Sequence, residues 1–123
     1  MHSIVSLISG RGSNLEAIVK TATAKSWDVQ FTGVISNNPE AKGLEFARSQ
    51  GISTQVVNHR DFASREAFDQ ALMNEIDRLG ADLIVLAGFM RILTPAFIKH
   101  YEGRMVNIHP SLLPLYPGLH THQ

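Results

Sequence analysis

The sequence predicts an α/β fold in which helices cover both faces of a doubly wound, mostly parallel sheet. Short apolar runs at residues 4–9 and 82–87 have the length and composition of strands buried on both faces. Between them, apolar residues recur at helical spacing from Phe68 to Leu79. Strands that alternate with helices in this way form parallel pairs joined by helical crossovers.

Turn and cap residues predict where the elements begin. Ser13 and Glu16 have capping-box spacing, which indicates the start of the first helix. In Asn38-Pro39, a cap residue precedes a proline that suits the first helical position, and Thr94-Pro95 repeats this pattern. We predict strands over residues 4–9, 29–35, 53–57, 82–87 and 104–108. The predicted helices cover residues 14–23, run from Asn38 to a stop at Gly51, cover residues 62–79, and follow Thr94-Pro95 briefly.

Composition restricts the class of protein. The 123 residues include 11 Lys and Arg, 11 Asp and Glu, and no cysteine. A general nucleic-acid or membrane-surface binder needs a basic excess, which is missing, and no apolar stretch is long enough to span a bilayer. The N-terminus has no signal-peptide pattern, and disulfides and thiolate metal sites need cysteine. We expect a single cytoplasmic domain over residues 1–123, with no nucleic-acid or membrane partner.

The most informative motif lies at the carboxyl end of the last predicted strand, which we expect to be buried. Asn107 and His109 are two residues apart, so their side chains share a face of that strand. Pro110 and Pro114 then force a loop. Ligands of open α/β sheets bind outside this edge, where an amide and an imidazole suit a reaction that builds negative charge on an oxygen and moves a proton. Turn formation and capping are the alternative interpretation.

The loop between the first strand and the first helix is rich in glycine and predicts an anion site. A dinucleotide fingerprint fails because Leu15 stands at the third glycine position, and no Walker Gly-Lys-Ser/Thr occurs. The pattern that remains suits a single phosphate held by Gly12, Ser13 and Asn14. A capped tight turn without a ligand is the alternative.

Residues 88–93 follow the fourth predicted strand and form an apolar run at the same edge of the sheet. Such a run suits a pocket for a flat heteroaromatic ring, whose polar edge the loop backbone would contact. The alternative is ordinary packing of Phe89, Ile92 and Leu93 under the next helix. Arg65 and Arg91 are candidates to bind a carboxylate of an anionic ligand, or are solvated surface residues.

A metal site is not expected. His109, His120 and His122 match no zinc-site spacing, and the carboxyl-terminal stretch has no other candidate ligands. The three other histidines are expected on the surface: His2, His59 and His100.

Together these segments resemble the glycinamide ribonucleotide formyltransferases, the folate-dependent transformylases of purine synthesis. The similarity runs over the whole chain, through residues 4–15, 86–93 and 107–114, and through Tyr116-Pro117-Gly118-Leu119-His120. The Asn-x-His-Pro-Ser-Leu-Leu-Pro motif indicates the wider formyltransferase superfamily, and the glycine-rich first loop with Tyr-Pro-Gly-x-His narrows it. The resemblance implies a sheet of the formyltransferase type that lacks its C-terminal strands.

The resemblance also implies a role for each matching residue. Gly12, Ser13 and Asn14 would hold the phosphate of glycinamide ribonucleotide. Catalysis would rest on Asn107, which donates a hydrogen bond to the oxyanion, and on protonated His109, which passes a proton to the departing folate nitrogen. The formyl donor would be 10-formyltetrahydrofolate, with no metal, and the protein a monomer or weak homodimer that binds only small molecules. The implied folate-site residues are Arg65, Met90, Arg91, Ile92, Leu93 and Asn107.

One departure from the resemblance concerns the charge around His109. An imidazole that is protonated near neutral pH needs a carboxylate neighbour to raise its pKa. No Asp or Glu follows Glu102, and the resemblance places the aspartate beyond the end of this sequence. We therefore expect a domain that is truncated at its C-terminus, and negligible transferase activity from the 123-residue chain alone.

Three other functions are compatible with these residues. A formyltetrahydrofolate hydrolase would use water as the acceptor and would need no phosphate loop. A methionyl-tRNA formyltransferase is expected to carry a basic surface and a second domain. The third alternative is a non-catalytic phosphate-binding α/β module, which binding of a folate analogue would exclude.

Overall fold

The computed structural model describes residues 2–10 and 12–108. The strands are β1 (His2–Ile8), β2 (Val29–Ser36), β3 (Thr54–Val56), β4 (Leu83–Ala87) and β5 (Met105–Ile108). The helices are α1 (Ser13–Ala24), α2 (Lys42–Ser49), α3 (Arg65–Arg78) and α4 (Pro95–His100), with a 3-10 turn at His59–Asp61. Within these ranges no helix is long and apolar enough to cross a membrane.

The five strands form one parallel sheet in the order β3-β2-β1-β4-β5, which confirms the predicted fold class. The strand order reverses between β1 and β4. Strands β2 and β3 lie on one side of β1, and the chain then crosses over so that β4 and β5 lie on the other side. In open α/β sheets this reversal marks the crevice where ligands bind, outside the carboxyl ends of the strands. The fold therefore predicts a site next to Ile8 and Ala87, the last residues of β1 and β4.

Apolar side chains cover both faces of the sheet because residues alternate between faces along each strand. On one face, the first core cluster joins β1, β2 and β4 to α1 and α2 through residues such as Ile8, Leu15 and Leu44. On the other face, the second core cluster joins the sheet to α3 and α4 through residues such as Leu72 and Phe97. This sandwich of helices on two faces is the doubly wound arrangement that the sequence predicted.

Helix α1 begins one residue earlier than predicted, and the capping box is wrong. The N-cap is Gly12, which makes no side-chain cap, and its φ of 82° lies in the left-handed region. The Glu16 carboxylate instead pairs with Lys20, with 2.7 Å between Oε1 and Nζ. Gly12 takes the cap position because its backbone packs against Gly43 at the start of α2, where an added Cβ would collide with the Gly43 Cα.

Helix α2 begins later than Asn38-Pro39 predicted, at Lys42, and its N-cap is Ala41. Asn38 forms a turn instead, in which its Oδ1 accepts a hydrogen bond from the backbone N of Glu40 at 3.0 Å. Asn38 O also accepts from the N of Ala41, which closes the turn before the helix. An Asx side chain that bonds two residues onward favours a turn over a helix start.

The predicted start of α4 is confirmed, and the predicted start of α3 is wrong. Thr94 caps α4 as predicted, accepting a hydrogen bond from the N of Phe97 while Pro95 occupies the first turn. Helix α3 starts at Arg65, three residues after the predicted Phe62, because the hydroxyl of Ser64 caps it by accepting from the N of Ala67.

Strand β5 is not the buried strand that the sequence suggested. It pairs with β4 alone and lies at an edge of the described sheet, where Val106 and Asn107 are exposed. Its side chains still alternate, since Met105 packs against the second core cluster and Ile108 against the first.

Candidate active site

The loops after β1 and β4 are joined directly at the reversal of strand order. Ser9, the residue after β1, is buried, and its Oγ accepts a hydrogen bond from the backbone N of Met90 at 2.7 Å. Gly88 begins the β4 loop with a φ of 77°, a conformation that suits glycine. An added Cβ at Gly88 would lie 3.6 Å from the Asn14 amide nitrogen, so the two loops approach closely.

Between these loops is a cavity of about 410 Å³, which we call the strand-reversal cavity. It lies where the topology predicts a ligand site. The cavity brings Gly12, Ser13 and Asn14 of the predicted phosphate loop together with Met90 of the predicted folate segment. Its full lining is Ser9, Gly10, Gly12, Ser13, Asn14, Ala87, Gly88 and Met90.

The amino end of α1 presents unpaired backbone donors near this cavity. The first intrahelical bond runs from the N of Glu16 to the O of Gly12. The N–H groups of Ser13, Asn14 and Leu15 therefore have no backbone acceptor among the described residues. Free N–H groups and the helix dipole together favour an anion at this position.

The β4 loop contains both packed and exposed side chains. Phe89 and Leu93 pack against the second core cluster. Met90 and Ile92 are 80% and 71% exposed, which leaves them available to a ligand. The backbone N–H groups of Arg91, Ile92 and Leu93 have no hydrogen-bond partner in the described part of the chain. This loop can thus offer both apolar surface and backbone donors to a flat polar ring.

The two arginines predicted at the folate site have different surroundings. Arg91 is partly buried, and its guanidinium carbon lies 5.4 Å from the centre of the Phe68 ring. Its Nε is buried and has no partner in the part of the chain that the structure describes. Arg65 is exposed in the first turn of α3 and is not part of the lining of the strand-reversal cavity.

Asn107 lies near the β4 loop through strand pairing. It is in register with Leu86, two residues before Gly88. It also shares a face of β5 with Met105, which packs against the same second core cluster as Phe89. The amide therefore lies on the side of the sheet where the β4 loop packs. His109, His120 and His122 lie outside the described residues.

Three polar residues near this edge were not predicted from the sequence to be site residues. Asn37 and His59 contact each other, and His59 is half-buried rather than a surface residue as predicted. Asp69 is buried on α3, and its Oδ2 accepts a hydrogen bond from the N of Thr94 at 2.7 Å. The position of Asn37 directly after β2 was the one signal available for it. Within residues 2–10 and 12–108 no cluster of His, Asp or Glu could hold a metal ion.

The family of this chain is shown by its similarity to known proteins. The formyl transferase family model matches residues 2–123. The chain belongs to the formyl transferase family. The five-stranded parallel sheet described above matches solved structures of glycinamide ribonucleotide transformylases.

Relatives of this formyl transferase chain bear consistent names. It is 54% identical over 121 residues to phosphoribosylglycinamide formyltransferase of Escherichia coli, covering 98% of this chain and 57% of that protein. It is 49% identical to the trifunctional purine biosynthetic protein adenosine-3 of Drosophila melanogaster, over 94% of this chain and 9% of that one. The structure of phosphoribosylglycinamide formyltransferase from Coxiella burnetii superposes with a TM-score of 0.85 at 50% identity, over 98% of this chain and 57% of that chain. The chain thus spans a little over half the length of its bacterial relatives.

Proposed function

We propose that this chain contributes to formyl transfer from 10-formyltetrahydrofolate to the amine of N1-(5-phospho-D-ribosyl)glycinamide, in the de novo synthesis of the purine nucleotide IMP. The observation that carries the proposal is the strand-reversal cavity, where the loop of residues 12–14 meets Met90. The names of the relatives, phosphoribosylglycinamide formyltransferase and a trifunctional purine biosynthetic protein, support the same activity.

The phosphate of the acceptor is proposed to bind at the amino end of α1. Gly12, Ser13 and Asn14 line the cavity there, and the free N–H groups of the first turn point to a ligand with several acceptor oxygens. A hydrolase that uses water as its acceptor would have no use for this feature. It therefore favours a phosphorylated acceptor over the hydrolase alternative.

The folate is proposed to bind along the β4 loop. Family membership implies a folate-type formyl donor. The backbone N–H groups of Arg91, Ile92 and Leu93, which have no partner among the described residues, fit the acceptor atoms of a heteroaromatic ring. Exposed Met90 and Ile92 offer apolar contact. Arg65 is proposed to reach a folate carboxylate, which its exposure on α3 permits.

The chemical step is proposed to rest on Asn107 and His109. As the substrate amine attacks the formyl carbon, the Asn107 amide donates a hydrogen bond to the oxygen on which negative charge develops. Removing one such donor typically costs ~2.7–4 kcal/mol in barrier. His109, when protonated, stabilises that charge and gives its proton to the folate nitrogen as the bond from that nitrogen to the formyl carbon breaks. The proton that the attacking amine releases restores the imidazolium. No metal takes part in this scheme.

We further propose that residues 1–123 form one formyltransferase-type domain that acts in the cytoplasm on small molecules, as a monomer or weak homodimer. Support for small-molecule substrates comes from the balanced charge of the chain and from the metabolic names of its relatives.

Calorimetric titration of the purified chain with a folate analogue, and separately with glycinamide ribonucleotide, tests the proposal. We expect both to bind, and 10-formyltetrahydrofolate to compete with the analogue. Ser13→Asp places a carboxylate beside the phosphate and should weaken binding of the ribonucleotide by about tenfold or more while leaving the folate analogue unaffected. Thr23→Asp, at the far end of α1, is the matched control. Absence of folate binding, or equal effects of the two variants, would refute the proposal.

A further inference from the structure

A second cavity opens at the same edge of the sheet, beside the ends of β2 and β3, and formyl transfer as proposed above makes no use of it. Its volume is about 420 Å³. Ser9 and Met90 line both cavities, so the two are neighbours. We call it the β2–β3 cavity, and its lining is Ser9, Asn37, Asn38, Pro39, Glu40, Asn58, His59, Arg60 and Met90.

Asn37 in this lining has a buried polar atom that packing does not explain. Asn37 is 5% exposed, and the atom assigned as Oδ1 is buried without a partner among residues 2–10 and 12–108. The other amide atom, assigned as Nδ2, lies 3.4 Å from Nδ1 of His59. Buried polar groups in folded proteins nearly always have partners, so a missing one points to a group that the described residues do not supply.

The contacts of His59 decide which amide atom is unpaired. Its Nδ1 lies 3.2 Å from the backbone O of Asn37, which only accepts hydrogen bonds. This contact fits the tautomer in which Nδ1 carries the hydrogen, and in that tautomer Nδ1 can share its hydrogen with the Asn37 side chain only if the amide oxygen faces the ring. Rotating the amide by half a turn places its NH₂ group in the buried, unpartnered position. Asn37 then lacks an acceptor.

The neighbouring side chains also leave donors free. Oδ1 of Asn38 accepts from the N of Glu40, and Oδ1 of Asn58 accepts from the N of Arg60, each at 3.0 Å. The NH₂ groups of Asn38 and Asn58 have no hydrogen-bond partner among the described residues. Arg60 has no carboxylate within 4.0 Å in that part of the chain, and Glu40 is the one acidic residue of the lining.

We propose that the β2–β3 cavity is a second oxyanion site, for a phosphate or carboxylate group, beside the phosphate loop of residues 12–14. Three amide NH₂ groups and one guanidinium supply donors that an oxyanion, with several acceptor oxygens, can satisfy together. Because Ser9 and Met90 are shared with the strand-reversal cavity, the anion belongs to a second charged group of a ligand that spans both cavities, or to a second ligand bound beside the first. The inference stands whether or not formyl transfer is the activity.

Nuclear magnetic resonance titration of the chain tests this site, with inorganic phosphate and glutarate as probes of the two anion classes. Binding in the β2–β3 cavity should shift the ring signals of His59 and the side-chain amide signals of Asn37. Binding at the phosphate loop should shift the backbone amides of Ser13 and Asn14 instead. The stronger of the two probes identifies the anion class.

Two charge-changing variants give the site an expected sign. Arg60→Gln should weaken the affinity measured at His59 by about threefold to tenfold, and Glu40→Gln should strengthen it by about twofold to fivefold, because like charges oppose binding. Arg48→Gln and Glu45→Gln, exposed on α2, are the matched controls and should leave the affinity within about twofold.

The results separate this inference from the proposed function. Shifts at Ser13 and Asn14 without shifts at His59 would overturn the second site and leave the phosphate loop intact. Equal behaviour of Arg60→Gln and Arg48→Gln would also overturn it. Shifts at His59 with the expected signs, in a chain that fails to bind a folate analogue, would support the second site and refute formyl transfer.

Discussion

The carboxylate of Asp69 on α3 accepts a 2.7 Å hydrogen bond from the backbone N of Thr94, which caps α4. Asp69 is 1% exposed, and its other oxygen has no partner among the described residues. This contact fixes the end of the β4 loop, just as Ser9 fixes its beginning through Met90. The loop proposed to bind folate is thus tied near each end by a hydrogen bond from its backbone to a side chain of another element.

Replacing Asp69 with alanine should destabilise the chain by about 2 kcal/mol, because a hydrogen bond to a charged group is lost and the N–H of Thr94 is left buried without an acceptor. Asp69→Asn retains an acceptor oxygen and should cost less. Urea unfolding monitored by circular dichroism measures both. Glu102→Ala, an exposed acidic site, should change the free energy of unfolding by no more than about 0.5 kcal/mol. An equal cost for Asp69→Ala and Glu102→Ala would show that the contact contributes nothing.

The fold could be predicted from the sequence because its signals are local. Apolar runs such as residues 82–87 and the Thr94 cap depend on neighbouring residues, and the structure confirms both as elements, with β4 beginning at Leu83. The start of α1 was wrong because it depends on a distant contact, the approach of Gly12 to Gly43. No local pattern shows that two loops must touch.

The candidate site was predictable to a similar extent. Gly12, Ser13, Asn14 and Met90 were expected at one edge of the sheet, and the structure places them around one cavity. The contact between Asn37 and His59 was missed because these residues follow different strands, and only the pairing of β2 with β3 brings them together. The roles of Asn107 and His109 stay predictions.

Gly12→Ala should destabilise the chain by about 2 to 5 kcal/mol, since the left-handed φ and the collision with Gly43 act together. Gly51→Ala has a similar φ of 75° but open space around it, so its cost should be about 1 to 2 kcal/mol. Gly10→Ala has open space and no such φ, and its cost should stay within about 0.5 kcal/mol. Thermal or urea unfolding of the three variants ranks them. Equal losses for Gly12→Ala and Gly51→Ala would remove the steric part of the explanation.

Tyr101→Phe tests how much the buried hydroxyl of Tyr101 contributes to stability. Burial, together with the hydrogen bond that its hydroxyl donates to Asp77 at 2.9 Å, raises the pKa of Tyr101 well above its usual value of 10.0. Above pH 10 the unfolded chain therefore releases this proton while the native chain keeps it, so stability falls as pH rises. Tyr101→Phe should cost about 1 kcal/mol at neutral pH, and this difference from wild type should shrink above pH 10. A difference that is constant from pH 7 to pH 11 would contradict the assignment.

Asn107→Ala should separate binding from stability. The side chain is exposed and makes no hydrogen bond within the described residues, so the free energy of unfolding should change by no more than about 0.5 kcal/mol. Loss of one hydrogen bond between Asn107 and the formyl group should weaken binding of a formylated folate analogue by about fivefold. Val106→Ala, on the opposite face of β5, is the control and should leave that affinity unchanged. Calorimetric titration provides the dissociation constants, and equal values for the two variants would exclude Asn107 from the folate site.

Ser9→Ala removes the hydrogen bond that ties Met90 to the end of β1, so the beginning of the β4 loop should lose its fixed position while the sheet stays intact. We expect the dissociation constant of a folate analogue to rise by about fivefold, which corresponds to one hydrogen bond. Ser6→Ala, in the middle of β1, removes a buried hydroxyl that donates to the O of Val85 and contacts neither loop. Both variants should lose similar stability, but only Ser9→Ala should lose affinity. Equal affinities would mean that the position of Met90 does not depend on Ser9, or that folate binds elsewhere.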